Sequence, residues 1–414
     1  MKLLKNTNIR SLFASVTTSS IGDWAFQVAM IFHIYQSTQS AFYVSALMLS
    51  SAIPGLLLSS IIIRIVARLN LKSVLIYSDV ARALLVLALI TVVDDIYVIL
   101  CINIVIGMFS VAFRTAYIQT ITSRFNSTLR HKVNALLNIG SFVSMAMGAA
   151  LGANFLTQFS VATCLLLNAL SFLVSAVFLI WLRFEQSEKI RIGEQALTRI
   201  NRKFFEDIKS NIMLKVVLAF GLSWGIVGGA FTILIPIMLV EGQTDANNLG
   251  LFYLFQAVAL IIGSTIIYRI EFAKNTQLIV VVFILAYFIQ ALSFSLALIS
   301  SSVALMILLL MIMRITGGII IPLDTTIIQN NCNGSTLSMF YNAHNLTYTI
   351  LFQVSILSIG VLVDSYGIDF TRQVMAYFSS ISIGVISLYA CIECIRTNAN
   401  KRITNGECRQ TIRK

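Results

Sequence analysis

Charge is what this sequence has least of. Asp, Glu, Lys and Arg together make up 11% of its 414 residues, against about 25% in an ordinary soluble domain. A water-solvated globular chain is excluded on that ground. Histidines number three and lie far apart; with no H-E-x-x-H and no Cys/His cluster, a metallohydrolase is excluded. No G-x-x-x-x-G-K-[ST] occurs, so ATP does not drive the chain directly. The six cysteines form no paired framework: four fall in apolar runs and two in polar segments. Cys391 and Cys394 make a C-x-x-C with no redox-fold context and no second pair, and read as small apolar residues. One hydrolase-like string is present, GLSWG at Gly221–Gly225, which fits G-x-S-x-G. It lacks the strand that a nucleophile elbow requires and sits in a glycine-rich apolar run, so no catalytic constellation and no enzyme is expected. The N-x-[ST] matches at Asn126, Asn333 and Asn345 fall in cytoplasmic loops or a span and are not glycan acceptors.

What the chain has instead is apolar length. Hydrophobic residues make up 58%, and twelve runs are long enough to cross a bilayer. They lie at roughly 11–36, 41–66, 73–93, 96–121, 133–155, 157–183, 213–241, 247–269, 277–300, 303–328, 336–363 and 371–395. Each can place ~20 residues in a helix across ~30 Å of hydrocarbon. Lipid offers the backbone no hydrogen-bond partner, which makes helices the expected solution. No A-x-A-like cleavage site follows the polar start MKLLKNTNIR, so the first run is read as a span and not a signal peptide. The net charge of +12 sets orientation. With the N-terminus inside, 25 of the 29 Lys and Arg residues fall in cytoplasmic segments; Arg82, Arg114 and Arg314 lie inside spans, and Arg372 alone lies outside. The positive-inside rule then puts both termini in the cytoplasm of a multi-pass plasma-membrane protein, with lipid and no nucleic acid as the partner of the basic residues.

The longest hydrophilic stretch, 184–212, divides the chain. An N-terminal half of six spans (1–183) and a C-terminal half of six spans (213–395) are expected, joined by that cytoplasmic linker and followed by a basic tail (396–414). This all-α, two-half layout points to a transporter. A weak internal echo agrees: AFRTAYIQT (112–120) aligns without gaps on PLDTTIIQN (322–330), and sets Arg114 opposite Asp324. Gly148 and Gly152 form a small-x-x-x-small pair for close helix approach. Gly225, Gly228, Gly229 and Pro236 would permit a bent span seven, as Pro54 and Pro322 would in spans two and ten.

The few charges inside spans are costly, about 2.5–3.5 kcal/mol each at mid-membrane, and mark candidate sites. Asp23 lies about 12 residues into span one, so ~18 Å from the cytoplasmic end at helical rise. Ser20 and Gln27 share its face. That stripe is expected to face a cavity, with Asp23 as the proton-coupling candidate; the plainer alternative is an N-cap or a structural ion pair. Arg114 is its natural partner candidate. Asp79 and Arg82, three apart, can pair with each other or with Arg64, Arg68 and Lys72, which suggests an inner-gate network tying spans two and three. Arg314 and Asp324 share span ten without sharing a face. His344 stands among Tyr341, Asn342, Asn345 and Tyr348, a polar aromatic stripe; it too is counted with the central cavity. His33 and Glu393 lie near span ends, where snorkelling makes them cheap.

These residues resemble a family. The 6+6 layout is similar to the major facilitator superfamily, and several stretches resemble its macrolide-efflux and multidrug or siderophore exporter branch. SSIGDWAFQVA resembles the first span of that branch, with its Gly-Asp at Gly22 and Asp23. LIYSDVARALLVL resembles the third-span D-x-x-R-A pattern at Asp79, Arg82 and Ala83. VNALLNIGSF resembles the opening of span five, LLLNALSFLVSA span six, and GVLVDSYG (360–367) the end of span eleven. The loop between spans two and three departs from the pattern: Ile63 replaces a glycine and Ala67 an aspartate, while Arg68 and Lys72 remain. Thr115 and Thr122 stand where proline is usual in span four, as does Ala149 in span five.

The resemblance implies a monomeric, cofactor-free secondary transporter acting on a small molecule and on protons or another coupling ion. The leading expectation is proton-coupled export of a hydrophobic or amphipathic compound by alternating access. Export of one metabolite, such as a siderophore or peptide, is the second. A non-transporting membrane sensor is the third, favoured by the missing loop aspartate and opposed by the lack of any soluble signalling domain.

Overall fold

In a computed structural model of the chain, residues 5–124, 127–183, 208, 211–241, 247–269, 276–332 and 334–411 are described. They are helical almost throughout. Thirteen helices follow one another: α1 (Thr7–Thr38), α2 (Ala41–Leu57), α3 (Ser59–Val66), α4 (Leu71–Thr91), α5 (Ile96–Arg124), α6 (Ser127–Gln158), α7 (Val161–Ile180), α8 (Ile212–Val240), α9 (Asn247–Arg269), α10 (Thr276–Ile299), α11 (Val303–Asn331), α12 (Gly334–Tyr366) and α13 (Ile368–Thr411). The linker expected at 184–212 lies outside the described residues except at its C-terminal end. The backbone of α13 runs on as helix into the expected basic tail.

Local chemistry sets several helix ends. Asn6 caps α1, its Oδ1 accepting from Asn8 N at 3.0 Å and Ile9 N at 3.3 Å. Asn70 caps α4 in the same way through Lys72 N and Ser73 N. Short polar side chains of this kind satisfy first-turn N–H groups that have no partner inside the helix. Gly367, at φ +84°, makes the turn between α12 and α13, a conformation open to glycine at little cost.

Among the described residues, ten helices are long and apolar enough to cross a membrane, or eleven if α2 and α3 count as one span. The pair bends by 61° at Leu58, so the run at 41–66, expected as a single span, is broken. Pro54 and Gly55, a turn before the break, weaken the helix there. The other departure is α1, which does not meet the apolarity criterion. Its first half is rich in serine and threonine.

The helices form two compact units. Unit 1 comprises Met1–Gln195 with Ala230–Ile261 and Ile356–Thr371, so it takes in α1–α7 and parts of α8, α9 and α12. Unit 2 comprises Ala196–Gly229, Ile262–Ser355 and Arg372–Lys414.

In unit 1, α1 packs on α6 and α7, α4 on α7 and α5, and α2 on α5. A Cβ on Gly148 would sit 2.7 Å from the Trp24 Cβ, and one on Gly152 2.7 Å from the Ala25 carbonyl oxygen. The small-residue pair therefore lets α6 lie directly on the α1 backbone, the expected use of such spacing in lipid. Polar side chains join helices where no water can reach: Asn103 Nδ2 on α5 donates to Leu47 O at 3.0 Å and Ser50 Oγ at 2.8 Å on α2. The apolar core of unit 2 is built around Phe220, Phe283, Tyr287 and Phe340, and α10 packs on α11.

Candidate functional site

Unit 1 holds a buried ion pair. Asp79 and Arg82, one turn apart on α4, are 0% and 4% exposed, and the Asp79 Oδ1 accepts from Arg82 Nη2. The second carboxylate oxygen accepts from Ser175 Oγ of α7 at 2.5 Å, and Ser175 in turn shares a 2.7 Å bond with Ser15 Oγ of α1. The guanidinium carbon lies 4.2 Å from the ring centre of Phe172 and 4.7 Å from that of Phe113. A planar, weakly hydrated cation suits this arrangement, since it can meet aromatic π-density and a carboxylate at once. Arg82 Nε has no hydrogen-bond partner among the described residues.

Lys72 serves elsewhere. Its Nζ donates to the carbonyls of Ile180 and Leu182 at 2.6 and 2.8 Å, where the last turn of α7 leaves acceptors free and the helix dipole favours a cation. Arg68 is exposed, and Arg64 bonds only back to its own helix at Ser60 O. The charge network therefore joins α4 to α7 and, through serine hydroxyls, to α1. The span-two cations do not enter it.

Asp23 is exposed on α1 and makes no hydrogen bond or ion pair within 4 Å among the described residues. Gly22 beside it is buried against Asn168 and Ser171 of α7. Ser20 and Gln27 are half-buried. No ion pair joins Asp23 to Arg114, which is itself exposed. The charges whose fields reach Asp23 are those of Arg82 and Asp79. They oppose one another, so Asp23 sits beside a nearly neutral pair and not opposite a free cation.

Unit 2 brings together two residues that the sequence set twenty positions apart. Asp324 Oδ2 on α11 lies 3.2 Å from His344 Nε2 on α12. The other oxygen, Oδ1, is buried without a hydrogen-bond partner among the described residues. The imidazole lies parallel to Phe340, ring centres 6.3 Å apart, and packs against Gly221 of α8. That contact gives GLSWG a packing role: a side chain at 221 would collide with the His344 ring. Tyr287 stacks on Phe220 at 4.2 Å, and its hydroxyl feels the charge of Asp324. Arg314 is half-buried, with its field reaching Tyr348. Among the described residues no three His, Cys, Asp or Glu side chains gather in a way that could hold a metal ion.

Ser175, Ser15 and Phe172 complete the unit 1 site without having been singled out by sequence. A serine or phenylalanine in an apolar run carries no local signal, and its partner is 90 or more residues away.

Long apolar helices, a buried ion pair in unit 1 and a carboxylate–imidazole contact in unit 2 are the features of a polytopic membrane protein. The major facilitator superfamily model matches residues 12–352, and the chain belongs to that superfamily. An uncharacterized transporter of the same type from Bacillus subtilis (strain 168), YfiS, is 26% identical over 177 residues; the alignment spans 42% of this chain and 42% of that relative. Among solved structures the fold is similar to the nucleoside transporter NupG, with TM-score 0.69, 12% identity, and coverage of 91% of this chain and 98% of that one. It is also similar to a bacterial homolog of the human lysosomal transporter Spinster in an inward-facing, unoccupied conformation, at TM-score 0.67, 11% identity and coverage of 92% and 96%. A bacterial metal transporter gives TM-score 0.67 at 14% identity, covering 92% and 97%.

Proposed function

We propose that the chain is a proton-coupled exporter of hydrophobic or amphipathic small molecules, of the macrolide or multidrug type. The 1–183 half rocks against the 213–395 half about a shared cavity, in the plasma membrane, as a monomer with both termini cytoplasmic. The observation that carries this reading is Asp23: an unpaired, exposed carboxylate within a long helix of a membrane transporter, next to a buried ion pair that needs no further charge. A carboxylate without a fixed partner can exchange a proton as its surroundings alternate between wet and closed, whereas one locked to an arginine cannot. Asp79–Arg82 is then the brace of the N-terminal half, and Asp23 its titrating group.

Everted membrane vesicles test this. Energised by an inward-acid proton gradient, they are expected to accumulate an amphipathic dye or macrolide, and to lose it when a protonophore is added. Accumulation indifferent to the protonophore would contradict the reading. A second reading, export of one anionic metabolite, is favoured by half-buried Arg314, whose charge reaches Tyr348 of α12. It predicts that cells lacking the protein lose a single extracellular product without gaining broad drug sensitivity.

A further inference from the structure

The first turn of α2 has no cap of its own. Ser40 occupies the N-cap position with extended backbone, yet its hydroxyl makes no bond to its own helix. The cap comes from α12, more than 320 residues away. Asp364 Oδ1 accepts from Ala41 N at 2.7 Å, and Oδ2 accepts from Phe42 N at 3.2 Å and from the Ser40 hydroxyl. A carboxylate on two free N–H groups at a helix start is a charge-assisted cap, which the helix dipole strengthens. One turn back along the same face of α12 lies Gly360. A Cβ there would sit 2.8 Å from the Ser45 Cβ and 2.9 Å from the Ala41 carbonyl oxygen. The α2 and α12 backbones thus cross at a distance that only glycine permits, with the carboxylate clamping the end of the crossing. Both segments belong to unit 1.

We infer that Asp364 and Gly360 form an extracellular latch between α2 and α12, closed in the state described here and broken when the transport path opens outward. This rests on the alternating-access reading with cytoplasmic termini, which puts the start of α2 and the end of α12 on the outer side. The latch is built to release. Asp364 is exposed and Ser40 half-buried, so water can take over each hydrogen bond when the helices part, and the net cost of opening stays small. A buried carboxylate in the same role would be stranded.

The test is a cysteine probe that needs no substrate and no proton gradient. In a full-length chain with its native cysteines replaced by alanine, Val44→Cys puts the probe at a buried position of α2, one turn inside the capped end. The rate at which an externally added, membrane-impermeant maleimide labels it reports the open population, provided opening is fast. Asp364→Ala is expected to raise the rate about tenfold, and Asp364→Asn, which keeps an acceptor but no charge, by less. Gly360→Val should raise it independently by wedging the crossing apart. Ser40→Ala should give a smaller rise and stands in if Asp364→Ala does not fold. Labelling within about twofold of the parent in monodisperse Asp364→Asn and Gly360→Val preparations would overturn the latch. Because transport is not the readout, a failed exporter assay and a failed latch are separate results.

Discussion

Asp79 shows what a single residue can and cannot do in this protein. It is wholly buried, with one oxygen on Arg82 and the other on Ser175. Replacing it by alanine leaves a buried guanidinium beside two aromatic rings without its ion-pair partner. Removing one partner of a buried pair costs about 3–5 kcal/mol. Asp79→Ala is therefore expected to lower the thermal midpoint in detergent sharply, while the double variant Asp79→Leu/Arg82→Met recovers much of it. Equal loss in single and double variants would contradict a buried pair in this role. The i,i+3 spacing made the pair itself legible in the sequence. Its true neighbours were not: of the cations that precede it in sequence, Arg64 bonds back to its own helix, Arg68 is exposed and Lys72 reaches the end of α7. Asp23 was legible as an anomaly of charge in an apolar run, but the expected Arg114 partnership depended on distances between helices, which sequence does not encode. Asp324–His344 was hidden for the same reason.

At the scale of the helix, packing in lipid rests on close approach, and the glycines separate into those that need it and those that do not. Gly152 has the Ala25 carbonyl within 2.7 Å of where a Cβ would sit, whereas Gly384 on α13 has nothing within 4 Å. Gly384→Ala is thus expected to raise the thermal midpoint slightly, since alanine is favoured over glycine by about 1 kcal/mol in a helix interior. Gly152→Ala should lower it by pushing α6 off α1. Parallel shifts at both positions would mean that α1 and α6 do not pack as described. The small-x-x-x-small spacing announced this contact. The break at Leu58 was not announced, although Pro54 was noted: a proline permits a bend but sets neither its place nor its 61° size. The composition of α1 shows the converse. A helix rich in serine and threonine, whose Ser15 hydroxyl bonds to Ser175 of α7 and whose Thr17 carbonyl accepts from Ser144 of α6, falls short on apolarity alone.

At the scale of the molecule, the sequence was most informative where the physics is additive. Apolar length marks the helices, because each residue contributes to it regardless of tertiary contacts; the direction that Lys and Arg suggest for them belongs to the proposed function. Membership of the superfamily follows from the same extended pattern. Substrate and coupling do not, since both depend on which side chains converge in space. In the proposed function the unpaired Asp23 carries the coupled proton while Asp79–Arg82 braces the fold. Purified protein in proteoliposomes tests it through Asp23→Asn. Substrate movement driven by a proton gradient should fall to background, with substrate-for-substrate exchange retained at near the parental rate. Full gradient-driven transport by Asp23→Asn would contradict the account.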